Sequence, residues 1–353
     1  MLRVTKLAAV LTAAVLSLAA CGGDDAPTTG TSPGAGGATS AAPKKSDLKV
    51  GLAYDIGGRG DQSFNDSAAA GLDKAKNELG VATNEAEAKQ GETDATKEER
   101  LRGLADEGFN PIIAVGFAYS GAVAKVAKEF PQTKFAIIDD AGAKGANVAN
   151  LIFSEEQGSF LVGVAAALKS KAGNVGFIGG VNVPLIKRFE VGFKAGVEAA
   201  KPGTKVQVKY LTQPPDFSGF GDPAKGKTAA EGMFDAGADV IYHAAGGSGG
   251  GLFEAAKAAN KLAIGVDADQ AKTAAPGVRD VIITSMLKKL DVAVFDFVKS
   301  MTDNQFKAGL VTYDLKEGGV DYATTGGKVD DIKTQIEDFK KKIVNGEITV
   351  PKQ

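Results

Sequence analysis

Two glycine-rich segments match motifs that either hold phosphate or carry a serine nucleophile. Residues 221–228, GDPAKGKT, fit the P-loop pattern, in which backbone amides bind the phosphates of a nucleotide. A P-loop needs a strand that runs directly into its first glycine, whereas the nearest predicted strand ends at Leu211. Pro223 after Asp222 is instead typical of a capped helix start, which would place Gly226 and Thr228 inside that helix. ATP binding is therefore disfavoured.

The second segment, residues 246–250 (GGSGG), fits the nucleophile elbow of serine hydrolases between a predicted strand and a predicted helix. The triad of that fold needs a histidine that follows the serine along the chain. The only histidine, His243, precedes Ser248. Serine hydrolase chemistry is therefore disfavoured, and we interpret the segment as a turn whose backbone amides can approach a ligand closely.

Carboxylate pairs follow two predicted strands, Asp139 with Asp140 and Asp267 with Asp269. Each pair could act as general acid and base, or could consist of polar turn residues. In open α/β sheets the ligand lies beyond the carboxyl ends of the strands. The position of these pairs therefore favours contact with a ligand without deciding for catalysis.

The composition narrows the classes of function further. Of 353 residues 44% are hydrophobic and 24% are charged, which is the balance of a globular protein. Since 41 basic residues face 43 acidic ones, no global field favours nucleic acid. One cysteine and one histidine allow neither a disulfide within the chain nor a Cys/His zinc site. We expect no metal, no cofactor and no nucleic acid partner.

From Lys49 onward, short apolar or β-branched runs alternate with longer amphipathic stretches, a pattern that predicts an α/β fold with a mainly parallel sheet. About 305 residues suit two domains. The predicted strands are 49–55, 110–116, 134–140, 174–180, 205–211, 239–245, 262–267 and 281–286. The predicted helices are 67–79, 96–107, 120–129, 156–169, 184–200, 223–236, 250–260 and 290–301.

The N-terminus has the features of an exported lipoprotein. Arg3 and Lys6 precede an apolar run, residues 7–20, that is too short to span a bilayer and is typical of a secretory signal. The run ends in Leu-Ala-Ala-Cys21, which resembles the bacterial lipobox. We expect a signal peptide at 1–20 and, at 21–48, a lipidated Cys21 followed by a flexible linker. These features predict attachment to the extracytoplasmic face of the bacterial cell membrane.

Many separated blocks resemble the basic membrane protein (BMP) lipoproteins, the nucleoside-binding branch of ABC-transporter substrate-binding proteins. The first two blocks are KVGLAYD at 49–55 and GGRGDQSFN at 57–65. Together the blocks cover essentially residues 49–345. The further blocks are 115–117, 135–139, 155–163, 176–180 with Pro184, 222–227, 244–247, 265–267 with 269–270, and 284–288. The resemblance is specific because the blocks occur in the family's order, whereas any one alone would be weak.

The resemblance implies two Rossmann-like lobes with parallel sheets, joined by a three-crossover hinge, as in type I periplasmic binding proteins. A ligand would be trapped between them by hinge closure. The first lobe would hold residues 49–150 and 268–306, and the second would hold 151–267 and 307–353. The absence of a Gly/Ser/Pro-rich break after Pro43 agrees with a chain that crosses between lobes more than once.

For the base of a purine nucleoside, the resemblance and the chemistry of stacking favour aromatic rings on both faces. Phe64 is the expected ring on one face and Phe189 on the other, with Phe220 as an alternative to Phe189. Asp55 and Asn65 are expected to bind the base edge.

For the sugar, the resemblance implies a second set of residues. Asp267 would accept both ribose hydroxyls, and Lys288 would support the ribose end, although the adjacent Lys289 is an alternative. Gly246 would offer its backbone to the sugar, and Asp139 would line the same pocket.

The function implied by the resemblance is the capture of purine nucleosides for import by an ABC permease, by a monomer without catalysis. The absence of a nucleophile-base pair agrees with this reading. Two alternatives stay open, a nucleoside-processing enzyme and a membrane-tethered sensor for another small polar ligand.

Overall fold

The computed structural model describes residues 46–89 and 91–353. The predicted signal peptide, Cys21 and the linker as far as residue 45 lie outside the described residues. Among the described residues, no helix is both long enough and apolar enough to cross a membrane.

Six parallel strands form the first sheet, in the order β11-β5-β4-β3-β1-β2. The central strands are apolar because helices cover both faces, and this burial on both faces is typical of a parallel sheet. The strands are β1 (Lys49–Ala53), β2 (Ala82–Ala86), β3 (Ile112–Ala114), β4 (Phe135–Ile138), β5 (Val148–Phe153) and β11 (Gly309–Tyr313).

The second sheet also has six strands, in the order β12-β10-β9-β8-β6-β7, and only β12 runs antiparallel to its neighbour. Strands β12 and β7 lie at the two edges of this sheet. The strands are β6 (Asn174–Val181), β7 (Lys205–Thr212), β8 (Val240–Ala244), β9 (Leu262–Asp267), β10 (Ile282–Lys288) and β12 (Val320–Tyr322).

Ten α-helices of the described part cover the faces of the two sheets. Their bounds are α1 (Phe64–Leu79), α2 (Asp94–Asp106), α3 (Ser120–Glu129), α4 (Glu155–Lys169), α5 (Pro184–Ala200), α6 (Pro223–Asp235), α7 (Gly249–Ala259), α8 (Gln270–Thr273), α9 (Leu290–Thr302) and α10 (Lys333–Val344). Helix α9 packs on α1, and α4 packs on α5 and β10.

The predicted α/β class with two lobes and three crossovers is confirmed. The chain passes between the sheets after β5, after β10 and after β11. All eight predicted strands and all eight predicted helices are present, with ends that shift by a few residues. The sequence analysis missed β2, β5, β11, β12, α8 and α10.

The missed strands lack a simple apolar pattern for physical reasons. Strand β2 is polar because it lies at a sheet edge and pairs only with β1. In β5, Asn150 interrupts the apolar run. Its side-chain amide donates to the carbonyls of Asp140 and Ala143, at 3.1 and 2.8 Å, and these bonds satisfy its polar group inside the fold.

Sheet membership differs from the expected lobe boundaries at two strands. Strand β10 lies within the range 268–306 expected in the first lobe, yet it pairs with β9 in the second sheet, Met286 opposite Val266. Strand β11 lies within 307–353, expected in the second lobe, yet it pairs with β5 in the first sheet. The apolar side chains of β10 are buried, which requires a neighbouring strand and covering helices that the second sheet supplies.

Close packing of α4 against α5 fixes the position of both helices. A Cβ atom on Gly192 or Gly196 would overlap the α4 backbone, at Glu156 and Phe160 respectively. The two helix backbones can therefore approach closely only because these positions are glycine. The first residue of α4, Glu155, lies near α5, where Arg188 Nη1 is 3.6 Å from Glu155 Oε2.

Candidate functional site

A cavity of about 550 Å³, measured with its opening to solvent, lies between the carboxyl ends of the two sheets. The structure brings all eight predicted binding residues to its lining. They are Asp55, Phe64, Asn65, Asp139, Phe189, Gly246, Asp267 and Lys288, and the alternative residue Phe220 lines the cavity as well.

Lys288, at the end of β10, is the only lysine or arginine among the residues that line this cavity, and its side chain is 1% exposed. Its Nζ lies 2.5 Å from Asp139 Oδ2 and 3.2 Å from Glu155 Oε1. Burial by itself would lower the pKa of Lys288, but the charges of Asp139 and Glu155 outweigh it and the pKa is raised. Lys288 is therefore a charged group at neutral pH.

Three aromatic rings also surround the Lys288 ammonium. Its Nζ lies 5.2, 5.0 and 5.5 Å from the ring centroids of Phe64, Phe153 and Phe189. Such cation–π contacts favour the charged form of a desolvated lysine. The adjacent Lys289 is half-buried at the start of α9 and does not line the cavity. The geometry therefore separates the two lysines that sequence reasoning left as alternatives.

Two aspartates at strand ends adopt left-handed backbone angles, with φ of 66° at Asp139 and 62° at Asp267. The Ser63 hydroxyl donates to Asp267 Oδ2 at 2.6 Å. Burial raises the pKa of Asp267 to about 6, although Lys288 and the Ser63 hydroxyl oppose the shift. Burial likewise raises the pKa of Asp139, against the opposing charge of Lys288. Both carboxylates are buried acceptors beside the cavity.

Asp55 and Asn65 line the cavity where β1 ends and α1 begins. The Ile56 amide donates to Asp55 Oδ1 at 2.8 Å, and the Asp55 amide donates to Asn65 Oδ1 at 3.1 Å. Asn65 Nδ2 in turn donates to Asp61 Oδ2 at 3.1 Å. The Asn65 amide is therefore used to hold the loop, while Asp55 keeps its Oδ2 beside Gly116. Burial raises the pKa of Asp55 to about 6.

The aromatic residues of the cavity differ in how they are held. Phe189 is buried on α5, and Phe64 is half-buried as the first residue of α1. The Phe220 ring packs against the backbone of Gly180 in β6, where a Cβ atom would overlap it. Phe220 therefore has a packing partner of its own, whereas Phe64 and Phe189 share the neighbourhood of Lys288.

Sequence reasoning did not name three polar residues at the site, Asp61, Ser63 and Glu155. Glu155 is 1% exposed, and burial raises its pKa in spite of the nearby Lys288. Its position directly after β5 would have indicated it, but β5 was not predicted. Ser63 reaches Asp267 across 204 positions of sequence, and no local pattern signals such a contact. Apolar and glycine positions, among them Gly116 and Phe117, were quoted only for the resemblance.

Hydrogen bonds tie the two lobes together across the cavity. The Gln62 carbonyl accepts from Gln270 Nε2 at 3.1 Å and from the Thr273 hydroxyl at 3.3 Å. Together with the bond between Ser63 and Asp267, these contacts join the loop before α1 to the segment after β9. They join elements of different lobes, so the cavity is closed over by the loop that precedes α1.

The two motif matches have structural roles in the fold. Asp222 accepts from the Lys225 amide at 3.0 Å and caps α6, whose first residue is Pro223, as predicted. The Ser248 hydroxyl donates to the Gly219 carbonyl at 2.7 Å. His243 Nε2 lies 2.9 Å from Gln270 Oε1, and burial lowers the pKa of this histidine to about 4. His243 is therefore a packed strand residue.

Within the described ranges 46–89 and 91–353, no group of three or more His, Cys, Asp or Glu side chains is arranged to hold a metal ion.

Comparison with known proteins gives a consistent set of relatives. A family model described as ABC transporter substrate-binding protein PnrA-like matches residues 48–353. The ABC transporter nucleoside-binding protein BmpA of Lactococcus lactis is 33% identical over 365 residues, or 99% of each chain. An uncharacterized lipoprotein of Pyrococcus abyssi is 34% identical over 298 residues, covering 81% of this chain and 72% of its own.

A solved ABC transporter solute-binding protein from Aeropyrum pernix superposes with a TM-score of 0.75 at 31% identity, covering 87% of this chain and 94% of that one. The family match spans both sheets and every residue that lines the cavity. The chain therefore belongs to the Bmp family of PnrA-like ABC transporter substrate-binding proteins, the family that its sequence blocks resemble.

Proposed function

We propose that this substrate-binding protein captures purine nucleosides in the cavity between its lobes and delivers them to an ABC permease. The observation that carries this proposal is the composition of the cavity. Aromatic rings that can cover a base stand beside buried carboxylates and a single buried lysine that can hold a sugar. One relative is itself named a nucleoside-binding protein.

For the base, we place the purine against Phe64, with Phe189 on its other face. Stacking of a base on an aromatic side chain contributes about 1–3 kcal/mol. We favour Phe189 over Phe220 because the Phe220 ring already packs on Gly180. Asp55 Oδ2 would accept from a donor on the base edge, and Asn65 would act by positioning Asp55.

For the ribose, we assign the two adjacent hydroxyls to Asp267. The Ser63 hydroxyl occupies one lone pair of Oδ2, so acceptor capacity is left on both carboxylate oxygens. Lys288, at the end of the neighbouring strand β10, would donate a hydrogen bond to the sugar. The backbone of Gly246 would also contact the sugar. Gly246 has φ of 53°, a conformation that glycine adopts without strain.

The site supports binding without chemistry. The Ser63 hydroxyl donates to Asp267, and Lys288 donates to Asp139, so these two carboxylates already have bonded partners. We further propose that a diacylated Cys21 anchors the mature monomer to the extracytoplasmic face of the membrane. The name of the Pyrococcus relative, a lipoprotein, supports this anchor.

Calorimetric titration would test the proposal on the chain without residues 1–20, carrying Cys21→Ser, after unfolding and refolding to remove carried ligand. The panel is adenosine, guanosine, inosine, uridine, adenine and ribose, with each mixture checked for released base. We expect tight binding of whole purine nucleosides with no base release. Release would make the protein an enzyme on nucleosides, and silence across the panel would withdraw the nucleoside proposal.

A further inference from the structure

A second cavity, of about 730 Å³ measured with its opening to solvent, adjoins the first. Phe117 and Asp139 line both cavities, so the two spaces share a wall. Glu155 and Arg188 line only the second one, together with Pro184 at the start of α5. No predicted binding residue other than Asp139 belongs to it.

Two buried carboxylates at this wall have unsatisfied acceptors. Asp139 Oδ1 and both oxygens of Glu155 are buried and accept no hydrogen bond from the described residues. The side chains of Asp139 and Glu155 are only 3% and 1% exposed. The charges that face Glu155 are Lys288 Nζ at 3.2 Å and Arg188 Nη1 at 3.6 Å, neither of which makes a hydrogen bond to it. Buried acceptors of this kind are stabilised by any donor that enters.

The order of residues along the cleft indicates which part of a ligand would reach this wall. Asp267 ends β9, and Lys288 ends the neighbouring strand β10. Lys288 then contacts Asp139 and Glu155. A nucleoside whose two ring hydroxyls bind Asp267 would therefore extend past Lys288 with its remaining exocyclic group, the 5′ carbon, towards Glu155. This step rests on the proposed function.

The charge at the wall indicates what that group can be. Among the residues that line the two cavities, the acidic ones are Asp55, Asp61, Asp139, Glu155 and Asp267, while only Lys288 and the 40% exposed Arg188 are basic. Entry of a phosphate would add negative charge to this excess of carboxylates. A hydroxyl or an ammonium group would instead donate to the free oxygens.

We propose that the second cavity, with Glu155 and Asp139, is a subsite that accepts hydrogen-bond donors at the 5′ position of the ligand and disfavours a 5′-phosphate. Glu155 is then a specificity-determining residue for the proposed ligand class.

Eight matched ligands test this inference, titrated by calorimetry at pH 8. They are the 5′-amino-5′-deoxy, 5′-hydroxy, 5′-deoxy and 5′-phosphate forms of adenosine and of guanosine. In the wild type we expect the affinity for the amino form to be at least about 10-fold higher than that for the 5′-deoxy form. The reason is that a hydrogen bond between a charged donor and a charged acceptor contributes more than a neutral one. Glu155→Gln should reduce this ratio at least about fivefold and should narrow the gap between the 5′-hydroxy and 5′-phosphate forms. Ratios of affinity between ligands within one variant are compared because a displaced Lys288 would lower the affinity for every ligand alike.

Glu156→Gln is the matched control, because Glu156 is the next residue of α4, is equally buried at 1% exposed, and lines neither cavity. Its ratios should equal those of the wild type. Unchanged ratios in Glu155→Gln, with adenosine or guanosine still bound, would overturn the subsite and leave the proposed function standing. Failure of all eight ligands to bind would overturn both.

Discussion

The ion cluster around Lys288 gives the sharpest prediction for stability. Lys288→Met leaves an unbranched apolar side chain, one atom shorter than lysine, and removes the positive charge that lies beside the rings of Phe64 and Phe189. Asp139 would then lose the counter-charge of Lys288, and Glu155 would keep only the 40% exposed Arg188, whose Nη1 lies 3.6 Å away. Removing one partner of a buried ion pair costs about 3–5 kcal/mol in the free energy of unfolding. We expect a loss of this size at pH 8 in ligand-free protein.

The loss should depend on pH, with a sign that follows from proton linkage. The pKa values of Asp139 and Glu155 are already raised by burial, and loss of the Lys288 charge raises them further. The folded variant therefore retains protons that the unfolded chain has released, so its stability falls as the pH rises through the folded pKa values. The difference from the wild type should accordingly be smaller at pH 5.5 than at pH 8.

Urea unfolding followed by circular dichroism is the suitable assay, because the chain contains no tryptophan. Lys289→Met is the matched control, since Lys289 is the adjacent, half-buried lysine outside the cavity, and it should change the unfolding free energy little. Adding Asp139→Asn to Lys288→Met should recover part of the loss by removing one unpaired charge. Equal stability of Lys288→Met and wild type at pH 8, or a loss that is the same at both pH values, would refute the reasoning.

Three further predictions concern the ligand and the packing of the second lobe. Phe64→Ala should weaken nucleoside binding by about 1–3 kcal/mol in calorimetry, and Phe220→Ala by clearly less; equal losses would contradict our assignment of the stacking faces. Nucleoside affinity should fall as the pH drops through about 6, the pKa of Asp267. Protonation of Asp267 alone should lower the affinity about tenfold between pH 7.5 and pH 5. An affinity that does not change with pH would exclude an ionised Asp267 as the ribose acceptor. Gly196→Ala should lower the free energy of unfolding in urea by about 1–3 kcal/mol, because the added Cβ overlaps the α4 backbone. Gly232→Ala in α6 places its Cβ in open space and should leave this free energy unchanged or raise it. Equal changes in the two variants would mean that α5 can shift to accommodate the added Cβ.

The sequence determined which elements form and which side chains stand at their ends. Alternation of apolar runs with amphipathic stretches is a local property, and it predicted eight strands and eight helices that the fold contains. Because ligands of α/β proteins gather beyond the carboxyl ends of strands, Asp139 and Asp267 could be named from their positions alone. The family resemblance supplied the remaining residues of the cavity, and the structure brings them together.

Only the tertiary structure decided how those ends meet. Strand β10 lies in the second sheet and β11 in the first. Their local sequences do not predict this, because strand pairing depends on contacts between distant segments. The choice of Lys288 over Lys289 depends on which side chain is buried beside Asp139 and Glu155. The role of Ser63 depends on a partner 204 residues away. A sequence carries the propensity of each segment, whereas burial and the pairing of charges arise only when distant segments share one space.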